Sequence, residues 1–449
     1  MNVERQGFNN LPVKNDPTIY NTKRLIWLYF WLLIFEGSLR KWLVPQLSAP
    51  LLIIRDPVVI GAYFLALKGG IFPKDVFTKS IIYLAFFSFL GGLAAIIISG
   101  SGNLSVTLFG LRANFLHLPL LFLIPKVFNL DDVQKLGRWV LLLAAPMAIL
   151  MVYQFGSPSD AFINRTVGTG EGFQLSSALG KIRPPGTFSF ITGPILYFTF
   201  VASFLLYGLL EQHTYKMWLL STAGLGLALA LAVSGSRGAI TSVGIVVLSL
   251  IIILFIRPDL ISKSYKLLIL AAIVGIGISF IPSFKEGLDV LNTRTESANA
   301  VEAKSGGIVG RFIGGFLEPF NNTDQIPLLG YGLGMGTNAG SAILTGTGKA
   351  KFLLAEGEWA RVFLESGLVL GLLFILLRIA LISWMGSLSI KSAADGNILP
   401  LLLFSACALI ILNGQFGQPT TVGFAILGGG LCLTSCQKKS YKQALSGSR

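Results

Sequence analysis

The chain alternates between long apolar runs and shorter polar segments, and the lengths of the runs predict membrane-spanning helices. A helix needs about 20 mostly apolar residues to cross the hydrocarbon core of a bilayer. About twelve runs approach this length, at residues 25–39, 51–67, 81–99, 108–124, 139–155, 187–210, 217–233, 239–256, 267–281, 359–384, 398–412 and 420–433. The pattern predicts an all-α, polytopic integral membrane protein with about 12 transmembrane helices.

Two polar segments interrupt this pattern at length. Residues 156–185 separate the fifth and sixth runs, and a long loop separates the ninth and tenth. We divide the chain into an N-terminal tail (1–22), helices 1–9 (23–283), the large loop (284–355), helices 10–12 (356–436) and a C-terminal tail (437–449). Residues 1–22 lack the apolar core and the cleavage site of a signal peptide.

Composition and charge support the membrane class. Hydrophobic residues make up 53% of the chain and charged residues 12%, whereas soluble domains carry roughly 25% charged residues. The net charge of +14 does not indicate nucleic-acid binding, because the Lys and Arg residues are scattered over short loops. With both termini in the cytoplasm, most of these residues lie on the inner side, as the positive-inside rule requires. The large loop then faces outward.

The cysteines give no indication of a metal centre. Cys407, Cys432 and Cys436 all lie in the last apolar runs, and their spacing is not that of a zinc site or a redox pair. We expect no metal site, no framework disulfide and no cofactor.

Charged residues inside the apolar runs need a reason to be there, because each costs about 2.5–3.5 kcal/mol at the centre of a membrane helix. Arg55 and Asp56 interrupt the second run, where Pro57 also breaks the helical hydrogen bonding. We interpret Arg55 and Asp56 as an ion pair with each other, with a direct substrate contact as the alternative. Glu36 and Arg40 are four residues apart, as in a helical ion pair.

The fourth run contains Arg112 and His117. Their separation of five residues predicts that they face different sides of a helix. Arg112 lies near the outer end of the run and is a candidate phosphate ligand. His117 is expected to be a buried, hydrogen-bonded histidine.

Two further arginines lie at the outer ends of predicted helices. Arg183 precedes Pro184 and Pro185, which prevent helix formation. Arg237 lies in the tight hairpin SGSRGA, where Ser236 is a candidate N-cap. A helix N-terminus beside an arginine is a ready anion site. The alternatives are a headgroup anchor for Arg183 and a plain tight turn for SGSRGA.

The large loop carries Arg311 in GRFIGGFLEPF and a glycine-rich stretch, GYGLGMG, at 330–336. No strand precedes the glycines, which excludes a dinucleotide-binding motif. Glu356 and Glu358 lie just before the tenth run. An acid at this position, facing several arginines, is a candidate general base; ordinary charge pairing at a helix start is the alternative.

Taken in order, RPPGTF, SGSRGA, GRFIGGFLEPF, GYGLG and WARVFLESGLVLG resemble segments of the O-antigen ligase and O-antigen polymerase superfamily of bacterial envelope proteins. The resemblance covers roughly the C-terminal 60% of the chain, and the order and spacing of the segments carry more weight than any one motif. The N-terminal FEGSLRKWLVPQLSAPLLIIRDPVV is similar to a less characterised branch.

The resemblance implies a membrane glycosyltransferase that polymerises or transfers an undecaprenyl-diphosphate-linked oligosaccharide. The glycan would be an O-antigen or exopolysaccharide repeat unit, handled at the outer face of the bacterial inner membrane by an inverting, metal-independent reaction. In this view Arg183, Arg237, Arg311 and Arg112 bind the diphosphate. Glu356 or Glu358 acts as the base. The implied partners are the lipid-linked donor, a glycan acceptor, membrane lipids and polysaccharide assembly proteins, without nucleic acid.

The chain departs from the family at two adjacent positions. Ligases of this family carry a histidine and an asparagine just before the last motif, where this chain has Glu356 and Gly357. A polymerase, or a ligase that uses Glu356 as its base, fits this difference. A transporter of glycan or lipid-linked substrate and a non-catalytic scaffold remain as alternatives from other classes.

Overall fold

The computed structural model describes residues 17–99, 103–168, 174–211, 214–263, 265–302, 328–337, 340, 343–344 and 357–437. Within these ranges the chain is all-α, and strand-like pairing is limited to one isolated bridge between Ser176 and Ile182. The predicted site residues Arg311 and Glu356 lie outside the described residues.

The described part of the chain contains fifteen α-helices. They are α1 (Pro17–Ser38), α2 (Ser48–Leu51), α3 (Arg55–Lys68), α4 (Val76–Ser99), α5 (Leu104–Leu111), α6 (Leu120–Val127), α7 (Leu130–Gly156), α8 (Thr192–Leu210), α9 (Met217–Val233), α10 (Arg237–Ile256), α11 (Tyr265–Ser279), α12 (Pro282–Glu302), α13 (Glu358–Ala394), α14 (Leu399–Asn413) and α15 (Pro419–Ser435). Every predicted apolar run coincides with part of a helix. Seven helical stretches of the described chain are long and apolar enough to cross a membrane, namely Pro45–Lys68, Val76–Ile98, Leu104–Val127, Leu130–Gly156, Thr192–Leu210, Arg237–Ile256 and Glu358–Ala394. The chain is thus built as an integral membrane protein.

Side-chain contacts define two ends of the helix bundle. At one end Lys23 pairs with Asp132 at 2.6 Å, and Asn397 donates to the carbonyl of Ser435 at 2.7 Å. We call this the short-turn end. At the other end Lys41 donates to the carbonyl of Gly186 at 2.7 Å. This second end also carries residues 156–168 and 174–191, the 234–236 turn and α12, and we call it the loop end.

Close helix packing depends on small residues in α15. Side chains at Gly428, Gly429 and Gly430 would overlap Phe200, Leu121 and Ile124, respectively. Membrane helices associate through such close approaches, since the lipid supplies no hydrophobic drive between them. Helix α15 accordingly lies fully inside the bundle.

The start of the large loop is helical. We predicted a loop from residue 284, but Pro282–Glu302 forms α12. Gly287 and Val290 lie on one face of this helix: a side chain at Gly287 would meet the backbone of Ala232, and Val290 is fully buried. Arg294 lies one turn beyond Val290, so the helix carries this arginine to the end of α9.

Helix α13 is sharply bent, which the apolar run did not reveal. Gly367 has φ 74° and ψ 176°, a conformation that favours glycine. Contacts pair residues on opposite sides of this bend: Glu358 accepts from Arg378 at 2.7 Å, and Gly371 lies against Phe363. The first segment of α13 therefore folds back along the second, and the bilayer-length portion begins after Gly367.

Candidate functional site

Three elements converge at the loop end around Arg183, Arg237 and Arg294. The first is residues 174–186, where Arg183 donates its backbone N–H to the carbonyl of Leu175 at 2.8 Å. The second is the 234–236 turn between α9 and α10. The third is α12, which is tied to the first element by the ion pair between Lys181 and Glu286 at 2.7 Å.

The SGSRGA turn is shaped for close approach. Gly235 has φ 54°, and a side chain there would overlap the hydroxyl of Ser177. Helix α10 begins at Arg237, as the sequence predicted. Ser236 occupies the N-cap position but makes no capping side-chain hydrogen bond, and its backbone carbonyl accepts from the N–H of Ala239 at 3.1 Å. The predicted N-cap position of Ser236 is confirmed, and the N-terminus of α10 lies beside Arg237, as expected of a candidate anion site.

The backbone after Arg183 is fixed by hydrogen bonds to the buried side chains of Lys41 and Gln154. The carbonyl of Gly186 accepts from Lys41 at 2.7 Å and from Gln154 at 3.2 Å, and its N–H donates to Gln154 at 2.8 Å. Lys41 is fully buried, and this burial lowers its pKa to about 7. These contacts fix the backbone at the Pro184–Pro185–Gly186 bend on which Arg183 is mounted.

Several polar atoms of this region lack partners. Among the described residues, Arg183 Nε, Arg294 Nη1 and Ser177 Oγ are buried atoms without a hydrogen bond. A native structure satisfies nearly all such groups, so each exception calls for a reason. Two guanidinium nitrogens and a hydroxyl, all able to donate, match the requirements of a phosphate oxygen.

The electrostatics of the three arginines indicate mutual repulsion. Burial, followed by the nearby guanidinium of Arg294, lowers the pKa of Arg183 to about 10. Burial and the charge of Arg237 lower the pKa of Arg294. The protein therefore holds three positive groups close together against an unfavourable field. An anion bound among them would remove that cost.

Arg112 has a different environment. It donates through Nε to Asp56 Oδ2 and through Nη2 to Asp56 Oδ1 at 3.1 Å. Asp56 also accepts from His117 Nε2 at 3.0 Å, and the other ring nitrogen of His117 bonds Tyr29 at 2.9 Å. The expectation of a buried, hydrogen-bonded His117 is confirmed. The role of Arg112 in phosphate binding stays a prediction.

Two pairing predictions here need correction. Arg112–Leu116 forms a π-helical turn, whose wider i to i+5 spacing brings Arg112 and His117 to the same carboxylate, although an α-helix would have separated them. Arg55 pairs with Glu36 at 3.3 Å and not with Asp56. Glu36 also pairs with Arg40 at 3.3 Å, as expected.

Glu358 lies at the centre of a second buried network. Its side chain is fully buried and accepts from Arg361 Nε at 2.9 Å, Arg378 Nη1 at 2.7 Å and the backbone N–H of Phe416 at 3.3 Å. Its oxygens are thus occupied by two arginines. The prediction of Glu358 as a base remains open, but these contacts give it a firm structural role.

The glycine-rich stretch docks onto this network. Gly336 donates its N–H to Glu365 at 2.9 Å, and Arg361 donates to Glu365 at 2.7 Å and to Asn114 at 2.9 Å. A side chain at Gly334 would overlap the backbone of α5. The glycines therefore allow backbone to pack on backbone.

Sequence reasoning missed Arg294, Ser177 and Lys41 as parts of the site. For Arg294 a signal was available, since Gly287, Val290 and Arg294 follow the i, i+3, i+7 spacing of one helix face. In the described part of the chain, no group of three or more His, Cys, Asp or Glu residues is arranged to hold a metal ion.

No protein-family model matches the chain, and no curated protein is similar to it at a significant level. The arguments for function therefore rest on the residues and their geometry.

Proposed function

We propose that this protein is a membrane glycosyltransferase whose donor is a glycan carried on undecaprenyl diphosphate. The observation that carries the proposal is the group of three arginines at the loop end, in which Arg183 and Arg294 have buried guanidinium atoms without a hydrogen-bond partner. A diphosphate offers oxygens that can accept from several arginines at once. The resemblance to O-antigen ligases and polymerases supplies the substrate class.

In the proposed reaction, a hydroxyl oxygen of the acceptor glycan attacks the anomeric carbon of the donor. The bond from that carbon to the diphosphate oxygen breaks, and its electron pair leaves with undecaprenyl diphosphate. Arg183, Arg237 and Arg294 stabilise the negative charge that develops on this leaving group. Arg311, which the resemblance also assigns to the diphosphate, completes the set in this proposal. Attack from the opposite face inverts the anomeric centre.

The acceptor hydroxyl must lose a proton as it attacks. We assign the base to Glu356, because Glu358 is already engaged by Arg361 and Arg378. A positioned base typically contributes about 10²- to 10⁴-fold to the rate. The positive charges of the arginines supply electrostatic stabilisation, so the mechanism requires no metal ion.

In this proposal the chain crosses the bacterial inner membrane about twelve times, with both termini in the cytoplasm and the loop end outside. Three shorter apolar helices, Met217–Val233, Leu399–Asn413 and Pro419–Ser435, join the seven long ones, together with α1 and α11. This orientation places the three arginines at the outer face.

The location of the charges favours an enzyme over a transporter. A carrier would be expected to have its substrate-binding charges near the membrane midplane. Arg55 and Asp56 are the charges that the sequence offered for that role, and they are paired with Glu36 and Arg112, respectively. The arginines with unpartnered atoms, Arg183 and Arg294, lie instead at the loop end.

The proposal is tested by complementing a deletion strain and analysing its surface polysaccharide and lipid-linked glycans. Wild type is compared with Arg237→Ala, Arg311→Ala and Glu356→Gln, with protein quantified in the membrane fraction. We expect the three variants to insert normally and to accumulate lipid-linked glycan. Short repeats would identify a polymerase, and full-length lipid-linked polymer a ligase. A normal profile from all three would refute the catalytic assignment.

A further inference from the structure

The turn between α14 and α15 concentrates polar side chains at the loop end. It reads NGQFGQPT and carries three carboxamides, Asn413, Gln415 and Gln418, within six residues. All three side chains are half-buried. The turn carries no charged residue, which sets it apart from the three arginines described above.

Two buried arginines hold the backbone of this turn. Arg378 donates from Nε to the carbonyl of Ile411 at 2.7 Å and from Nη2 to that of Gly414 at 2.8 Å. Arg55 donates to the carbonyl of Pro419 at 2.6 Å. An arginine in an apolar helix is costly, so two of them fixing one short turn indicate that its shape matters.

Asn413 shows an unmet hydrogen-bonding need. Its Oδ1 is buried and has no partner among the described residues. Gln418 donates to Gln415 and accepts from Thr421 at 3.5 Å. In this turn Gln415 and Gln418 are hydrogen-bonded to each other, whereas the side-chain oxygen of Asn413 has no donor.

An aromatic ring lies beside Asn413. The half-buried indole of Trp359 donates its N–H to the carbonyl of Leu412 at 3.1 Å. A flat apolar ring next to amides that both donate and accept matches a sugar, which has an apolar face and hydroxyls at its edge. A neutral ligand fits better than an anion, because the turn offers no positive side chain.

The turn and the three arginines lie at the same end of neighbouring helices. Ser249 of α10 donates to Ser405 of α14 at 3.2 Å. From this contact α10 runs back about three turns to Arg237, and α14 runs on about two turns to Asn413. Arg237 and Asn413 therefore lie at the same end of the bundle, at similar distances along the helix axes from this contact.

We propose that Trp359 and the carboxamides of Asn413, Gln415 and Gln418 form a subsite for a neutral sugar of the acceptor glycan. This rests on the proposed function, since the acceptor must lie beside the donor. The donor diphosphate occupies the arginines, and the subsite aligns the attacking hydroxyl.

The test uses the full chain purified in lipid nanodiscs. The probe is the neutral oligosaccharide fraction that mild acid releases from wild-type envelope lipids, with retained glycans quantified by mass spectrometry. Asn413→Ala removes the unpartnered oxygen and leaves other contacts intact. Gln418→Glu keeps the side-chain shape and removes the amide donor. Asn397→Ala, a carboxamide before the other end of α14, is the matched control, and thermal melting verifies that each variant is folded.

We expect the wild type and Asn397→Ala to retain the same neutral glycans, and Asn413→Ala and Gln418→Glu to retain roughly tenfold less. The subsite is refuted if both turn variants retain as much as the wild type, or if the wild type retains none. Binding of undecaprenyl diphosphate is measured in parallel. If that binding is absent while the turn variants lose glycan, the donor assignment fails and the subsite stands.

Discussion

At the scale of single residues, the three arginines are the feature with the sharpest consequences. Arg183 and Arg294 combine buried, unpartnered guanidinium atoms with neighbours of the same charge. This arrangement lowers the folding stability of the ligand-free protein. Replacing one of these arginines by a neutral residue is therefore expected to raise stability and to reduce anion binding.

Arg183→Gln should stabilise the ligand-free protein while removing anion binding. The lowered pKa of Arg183 means that its charge is disfavoured in the folded state. Because the side chain is half exposed, water screens the repulsion, and we expect a gain on the order of 1 kcal/mol. Thermal melting in detergent checks this, with Lys74→Gln at an exposed position of the short-turn end as the control. A lower melting temperature for Arg183→Gln would show that the arginine has a stabilising partner.

Lys41 should make stability depend on pH. Its folded pKa of about 7 is below its ordinary value of 10.5, so between these values the unfolded chain binds more protons. Stability therefore rises as pH increases from about 7 towards 10.5. Lys41→Met should be more stable than the wild type near pH 7, and its stability should not show the increase with pH that Lys41 causes. Melting temperatures across this range measure the slope, and an unchanged slope in Lys41→Met would contradict the assignment.

The sequence singled out Arg183 and Arg237 as candidate anion ligands through their proline- and glycine-rich settings. It could not pair the buried charges correctly, because pairing depends on local helix geometry. Arg112 and His117 reach one carboxylate through a π-helical turn, and no spacing rule for α-helices predicts that. Lys41 and Gly186 are far apart in sequence, so their contact was not accessible to pattern reasoning.

At the scale of elements, the bend in α13 brings together the buried charged residues at the loop end. Gly367 allows the Glu358 segment to fold back on Arg378, and it lies against the backbone of Leu328. The apolar run predicted one continuous helix here, because hydropathy gives no sign of a bend at a single residue. Helix α12 was missed as a helix for the opposite reason, because it is polar and the search was for apolar runs.

Gly367→Ala should destabilise the protein by at least about 1–3 kcal/mol, the range for a side chain forced into such a backbone conformation. The added carbon would also overlap the carbonyl of Leu328. Gly244→Ala in α10 is the matched control, because nothing lies within 4 Å of the added carbon and alanine favours a helix. Thermal melting compares the two, and equal stability would show that α13 does not need the bend.

At the scale of the whole molecule, the fold separates the short-turn end from the loop end, which holds the candidate sites. The positions of the apolar helices could be predicted from the apolar runs, because crossing a bilayer sets a minimum length, whereas the polar helix α12 and the division of two runs into shorter helices could not. The convergence of residues 174–186, the 234–236 turn and α12 could not, since it depends on how distant helices pack.

The proposed topology can be measured by accessibility of introduced cysteines. Cys407 and Cys432 are buried and Cys436 is half-buried, so the native background should be low. Asp160→Cys at the loop end should react with a membrane-impermeant maleimide in intact spheroplasts. Lys74→Cys and Asp395→Cys should react only after permeabilisation. The reverse pattern would place the three arginines in the cytoplasm and contradict the proposed donor.

The most direct test of the central claim is whether the three arginines bind a lipid diphosphate. Purified protein is titrated with undecaprenyl diphosphate and, separately, with undecaprenol, which lacks the charge. Thermal melting reports binding, because a ligand at 100 times its Kd stabilises by about 2.7 kcal/mol. The account predicts stabilisation by the diphosphate alone, and its loss in Arg183→Gln and Arg294→Gln. Equal stabilisation by undecaprenol, or full stabilisation of both variants, would contradict it.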